Sequence, residues 1–125
     1  MVIGIGLDLV ETGRVERALA RFGTRFVGKL MDPEEAAALP EAPRERALAL
    51  AFAVAGKEAA SKALGTGWSQ GVRWRDVVVT AGPQPSVRLL GRAAAVARAL
   101  GSSGRSRVRL SVQGELTVGE FWLLT

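Results

Sequence analysis

Three side chains in this sequence stand where chemistry is plausible: Asp8, Glu58 and Lys62. Asp8 ends a glycine-faced run, Gly4-Ile5-Gly6-Leu7-Asp8, and taken alone it reads as a turn or helix-cap carboxylate. Glu58 follows a long apolar stretch, and taken alone it reads as the i, i+4 partner of Lys62, a weak pair if exposed. Taken together they ask for something positive between them, because carboxylates leaving buried elements are costly without compensation. Magnesium suits such a pair: it takes oxygen ligands and is commonly held by one or two carboxylates plus substrate phosphates. Lys62, a helical turn beyond Glu58, would face the same phosphates. Ser61-Lys62-Ala63-Leu64-Gly65-Thr66-Gly67 then ends the helix in backbone flexible enough to lie along a ligand.

The residue types that are missing narrow the chemistry further. The 125 residues include no cysteine, no histidine and no tyrosine. Disulfides, thiolate nucleophiles, cysteine metal sites, imidazole bases and a Ser-His-Asp triad are therefore excluded. What remains is carboxylates, Lys, Arg, Ser/Thr, backbone groups and a hard metal ion. The net charge of +5 favours polyanionic partners, whether nucleic acid, nucleotide phosphates, anionic lipid or an acidic protein. At 48% hydrophobic and 23% charged, the composition is that of a globular domain. No apolar run reaches the roughly 18 residues of a spanning helix and no basic leader precedes the first strand, so a cytoplasmic protein without a membrane span is expected. The length suits one domain over residues 1–125.

The elements that must position these residues follow from periodicity. Residues 2–10 alternate, with Ile3, Ile5, Leu7 and Leu9 on one side and Gly4, Gly6 and Asp8 on the other, which predicts a strand whose bare face admits another backbone or a ligand. Arg14–Phe22 reads as a helix with Val15, Ala18, Leu19 and Phe22 inward and Arg14, Arg17 and Arg21 outward. Asp32-Pro33-Glu34-Glu35 is a helix start with a capping aspartate, proline at the first position and a glutamate to close the box; that short helix ends near Pro40. Arg44–Leu64 is the strongest helix, uncharged from Ala47 to Gly56 and so expected to be buried on all sides there, with Gly65 as its stop. Strands near 72–80 and 86–90, a helix at 91–100 and strands near 107–112 and 120–124 complete an α+β fold. Lys57 is read as snorkelling at the helix surface, without a role. Trp68, Trp74 and Trp122 are read as core or subunit packing.

Two segments carry a family resemblance. Gly4-Ile5-Gly6-Leu7-Asp8-Leu9-Val10-Glu11 resembles the N-terminal signature of holo-acyl-carrier-protein synthases, the AcpS branch of the 4′-phosphopantetheinyl transferases. Lys57-Glu58-Ala59-Ala60-Ser61-Lys62-Ala63-Leu64-Gly65-Thr66-Gly67 resembles the second signature, in register and at the right separation, and a thinner similarity continues through Trp74-Arg75-Asp76-Val77 and Pro85 to the end. The resemblance implies a phosphopantetheinyl transferase fold, with a mostly antiparallel sheet packed on a long buried helix. It implies transfer of 4′-phosphopantetheine from coenzyme A to a serine of acidic apo acyl carrier protein, for fatty acid biosynthesis, with release of adenosine 3′,5′-bisphosphate. By the same resemblance Asp8 and Glu58 would bind Mg²⁺, and Lys62 would neutralise the transferring phosphate. Gly65, Thr66 and Pro85 would lie along coenzyme A. Arg14, Arg21 and Arg25 would hold the carrier, and the protein would be a homotrimer with active sites between subunits. Glu58 or a metal-bound water would accept the serine proton.

The sequence departs from the family's pattern at two places. Ala53 stands where an arginine is usual, and Gln113 where a histidine is usual. Each loss of a charge-assisted bond is worth roughly 1.5–3 kcal/mol, about tenfold to a hundredfold in affinity. Arg44, Arg46, Arg105, Arg107 and Arg109 are candidates to reach the nucleotide's 3′-phosphate instead, with Gln113 still able to donate a hydrogen bond. These departures motivate a rival reading, a catalytically weak or silent relative that binds carrier protein or coenzyme A. Net charge alone motivates a third, a basic nucleic-acid-binding protein, against which stands the absence of any recognisable nucleic-acid motif.

Overall fold

A computed structural model describes residues 1–125. The chain opens with strand β1 (Val2–Glu11), followed by helices α1 (Thr12–Phe22), α2 (Thr24–Leu30), α3 (Pro33–Ala37) and the 22-residue α4 (Pro43–Leu64). A 3₁₀ turn at Trp74–Asp76 leads into the hairpin β2 (Val77–Thr80) and β3 (Ser86–Leu89), then α5 (Gly91–Ala99), β4 (Ser106–Gln113) and β5 (Leu116–Leu124). The expected α+β architecture is what forms. The sheets are a three-stranded antiparallel one in the order β1-β5-β4 and the β2-β3 pair. No helix is long and apolar enough to cross a membrane.

The bare face of β1 finds its backbone partner in α4. A Cβ on Gly6 would stand 1.7 Å from the Ala59 carbonyl oxygen, and one on Gly4 would stand 2.4 Å from that of Ala63. On β5, Gly119 meets Ala55 in the same way, at 2.5 Å. Only glycine permits strands to lie so close to a helix. The opposite face of β1 is left open, with Ile5, Leu7 and Leu9 between 53% and 63% exposed.

Two apolar clusters flank α4. One joins its C-terminal half to β2, β3, α5 and β5 through Ala60, Leu64, Val77, Val87, Ala97 and Phe121. The other joins its N-terminal half to α1 and α2 through Val15, Val27, Leu30, Leu50 and Ala51. Gly65, left-handed at φ 78°, ends α4 as expected, its N–H bonding the Lys62 carbonyl at 3.0 Å.

Several expectations need correction. Phe22 is 49% exposed rather than inward, with the Arg21 guanidinium 5.2 Å from its ring centre. The segment Ala47–Gly56 is only partly buried all round, since Leu48, Ala49, Phe52 and Val54 keep some exposure. The strand expected from residue 72 begins only at Val77, because Asp76 caps the preceding 3₁₀ turn through Arg73 N–H and guanidinium. Helix α2 was not anticipated, since seven residues carry too little periodicity to read. The last strand begins at Leu116 rather than Glu120, because residues 116–119 pair with both β1 and β4; a glycine stands at 119 because α4 leaves no room for a side chain there.

Candidate active site

The close packing of β1 on α4 brings together residues half the chain apart. Asp8, on the glycine face of β1, accepts a hydrogen bond at 2.8 Å from Lys62 Nζ, which also donates to the Leu7 carbonyl at 3.0 Å. Lys62 thus pairs across the fold with Asp8 rather than along the helix with Glu58. Glu58 stands one helical turn before Lys62 on the same side of α4. Its carboxylate is partly exposed and has no ion-pair or hydrogen-bond partner within the chain.

The carboxylate oxygens of Asp8 and Glu58 are of the donor type that a hard divalent cation takes. Lys62 already places one positive charge on Asp8, and its side chain is 50% exposed. No group of three or more acidic side chains could hold a metal by itself. A carboxylate pair that needs phosphate oxygens to complete its shell is the expected arrangement for Mg²⁺.

The remaining predicted residues distribute as follows. Gly65 and Thr66 continue directly from α4, with Thr66 Oγ1 donating to the Gly67 carbonyl at 2.9 Å and Gly67 N–H donating to Ser61 O at 3.2 Å. Arg14 and Arg21 on α1, and Arg25 on α2, are all exposed, as a docking face requires. Arg46 donates to the Pro40 carbonyl at 3.3 Å, in the first turn of α4. It lies sixteen residues (62 less 46) from Lys62, or about 24 Å at 1.5 Å per residue. Pro85 belongs to the β2-β3 hairpin, and Gln113 ends β4, two strands across from β1. Within one chain, therefore, Asp8 and Lys62 meet, Glu58 lies one helical turn before Lys62, and the Gly65-Thr66 turn follows α4 directly, while Arg46 stands far along the helix. Ala53 is buried and lines a cleft of about 590 Å³ between α3, α4 and β2.

Sequence reasoning misjudged one residue beside the site. Lys57 does not snorkel: its side chain is wholly buried. Its ammonium bonds Glu35 Oε1 at 3.0 Å, the Trp74 carbonyl at 3.0 Å and the Val77 carbonyl. Glu35 does not close a capping box either. Asp32 Oδ1 caps α3 by accepting from Glu35 N–H at 2.8 Å, while Glu35 Oε2 accepts from Val79 N–H at 3.2 Å. Burial pushes the Glu35 carboxyl up and the Lys57 ammonium down from their ordinary values, each partly opposed by the other's charge. The available signal was a lysine at the foot of an uncharged helical run with a glutamate 22 residues earlier; nothing local connects the two. Trp68 and Trp74 stack with ring centres 4.0 Å apart, which bears out packing for that pair.

Comparison with known proteins gives this geometry a family. Residues 4–112 match the sequence model described as the 4′-phosphopantetheinyl transferase superfamily. The chain belongs to that superfamily. Within it, the transferase resembles holo-[acyl-carrier-protein] synthases. That of Desulfovibrio desulfuricans is 48% identical over 103 residues, 81% of each chain. The crystal structure of the Neisseria meningitidis synthase superposes with a TM-score of 0.84 at 29% identity over the full length of both chains. The Bacillus anthracis synthase, solved in complex with CoA (3′,5′-ADP), gives 0.71 at 25% identity, covering 98% of this chain and 96% of that one. The fold and the enzyme class expected from the two signature segments are both upheld.

Proposed function

We propose that this enzyme transfers 4′-phosphopantetheine from coenzyme A to a serine of apo acyl carrier protein, with Mg²⁺, as one transferase domain spanning the chain. The observation that carries this is the meeting of Asp8 and Lys62 at 2.8 Å, with the unpartnered Glu58 one turn away. The synthases it resembles support the choice of substrate, the Bacillus anthracis one through its CoA complex.

In this scheme the carrier serine oxygen forms a bond to the β-phosphorus of coenzyme A. The bond from that phosphorus to the bridging pyrophosphate oxygen breaks, and adenosine 3′,5′-bisphosphate leaves with the electron pair. Such transfer needs in-line positioning and charge stabilisation rather than covalent help. Asp8 and Glu58 would hold the magnesium ion, which supplies charge neutralisation at the pyrophosphate. Lys62 exchanges its contact with Asp8 for a phosphate oxygen. Gly65 and Thr66 offer backbone and hydroxyl along the coenzyme, and Glu58 is the chain's own acceptor for the serine proton, histidine being absent. Arg14, Arg21 and Arg25 present the cationic face for the acidic carrier.

A homotrimer with sites between subunits belongs to the same proposal. The open face of β1, where Ile5, Leu7 and Leu9 are exposed, favours burial against another copy. Arg46 lies far along α4 from the Asp8-Lys62 pair and Gln113 lies two strands across from β1, and a neighbouring copy would bring them and Pro85 to it. The basic protein would then act in the cytoplasm, on carrier protein rather than nucleic acid. The test is mass spectrometry of apo carrier protein incubated with enzyme, coenzyme A and Mg²⁺. A phosphopantetheine mass gain lost in Asp8→Ala and Glu58→Ala is expected. No gain with the unsubstituted enzyme, but retained carrier binding, would overturn catalysis in favour of a silent binder.

A further inference from the structure

The residue beside Glu58 is wholly buried and fully tied down. Lys57 has three ammonium protons and meets three acceptors, from Glu35, Trp74 and Val77, which lie on α3, the 3₁₀ turn and β2. Glu35 is equally committed, one oxygen to Lys57 and the other to Val79 N–H.

Apart from Leu50 and Leu64, the apolar residues that α4 buries are small, including Ala51, Ala55, Gly56, Ala59, Ala60 and Ala63. Its other polar tie to a neighbouring element is Lys62, to Asp8 and the Leu7 carbonyl. The strands on its other side present Gly4, Gly6 and Gly119 to its backbone. Such contacts set how near the strands lie, but they offer few knobs to resist rotation of the helix about its axis. Directional hydrogen bonds resist rotation well. A helix with side chains is 10–12 Å across, so a roll of about 20° would move a surface carboxylate by about 2 Å. A magnesium ligand set tolerates far less, and a supporting shell must hold its groups within about 0.5 Å.

We infer that the buried Lys57–Glu35 pair is a positioning device: by locking the roll of α4 against α3 and β2, it holds the adjacent Glu58 carboxylate in register with Asp8. Neither residue touches substrate; both act through Glu58. The inference rests on the reading of Glu58 as a metal-holding carboxylate. It assigns α3, a five-residue helix whose Glu35 side chain is only 6% exposed, the task of presenting that carboxylate.

The experiment compares Glu35→Gln, Lys57→Met, the apolar double variant Glu35→Leu/Lys57→Met, and Glu58→Gln. Mn²⁺ affinity in the presence of coenzyme A, read by electron paramagnetic resonance, is measured with the thermal midpoint and the steady-state constants. Glu35→Gln, which keeps an acceptor for Lys57 but loses the charge and the acceptor for Val79 N–H, is expected to fold and to bind Mn²⁺ about tenfold more weakly. Its kcat falls while KM for the carrier stays put. The double variant is expected to recover the midpoint lost in Lys57→Met but not the Mn²⁺ affinity. Recovery of both in the double variant would overturn the inference, since packing alone would then orient Glu58. So would unchanged Mn²⁺ affinity in Glu35→Gln with a loss in Glu58→Gln. Unchanged affinity in Glu58→Gln would instead remove the metal reading on which the inference stands.

Discussion

Replacing Gly6 by alanine should separate the two elements that make the site. The new Cβ would lie 1.7 Å from Ala59 O, 2.7 Å from Ala59 C and 3.0 Å from Ala63 N, all backbone atoms of α4. Real Cβ contacts do not fall below 3.0 Å, so β1 must retreat by at least about 1.3 Å (3.0 less 1.7). Overpacking costs about 1–3 kcal/mol where side chains can yield. Here only a strand or a helix can move, and the cost is expected to reach about 3 kcal/mol or more. At about 2.1 cal/mol/K of unfolding entropy per residue, 125 residues convert this to a fall of about 11 °C in Tm. Asp8 is two residues along the displaced strand, and misplacement of a catalytic group by about 1 Å can cost a hundredfold in rate. Calorimetry at fixed protein concentration and the carrier mass assay would measure both. Gly28→Ala is the control: its Cβ meets nothing within 4 Å on a helix, and it should stabilise by about 0.5–1 kcal/mol. A Gly6→Ala protein melting within about 3 °C of the parent with full activity would refute the close-approach argument.

Other expectations follow from the same geometry. Asp8→Asn should abolish carrier modification while shifting stability by no more than about 1 kcal/mol, because its partner Lys62 is half exposed; a large drop in Tm would mean the pair is structural. Arg14→Glu should raise KM for the carrier, leave kcat and KM for coenzyme A unchanged, and flatten the salt dependence of the reaction; an unchanged carrier KM would move the docking face elsewhere. Lys57→Met strands a buried carboxylate and should cost about 3–5 kcal/mol at neutral pH. Removing the ammonium takes away the charge that pulls Glu35 down, so its carboxyl rises further above the ordinary 4.5. With the folded pKa above the unfolded one, the folded chain binds more protons between the two values, and this group's contribution to stability falls as pH rises through that window. The Lys57→Met penalty should therefore shrink on acidification toward 4.5; urea midpoints across pH would check it, and a penalty that widens would contradict the assignment.

What could be read from residue order was whatever depends on near neighbours or on chemical identity. The alternation in residues 2–10, the apolar run into Gly65 and the proline-started α3 all announce local structure, since strand, helix and cap are decided within a few residues. The absence of histidine and cysteine limited the chemistry before any fold was known, and the two signature segments named the family. The tertiary structure decided the pairings. Lys62 could bond Glu58 a turn away or Asp8 across 54 positions, and the glycine-to-backbone approach of β1 to α4 chose Asp8. Lys57 lay in the same sequence motif as Glu58 and looked like a solvated helix charge. Only the folding of α3 and β2 over it made it a buried cation needing three acceptors, because burial and partnership belong to the whole fold and leave no trace in a helical period.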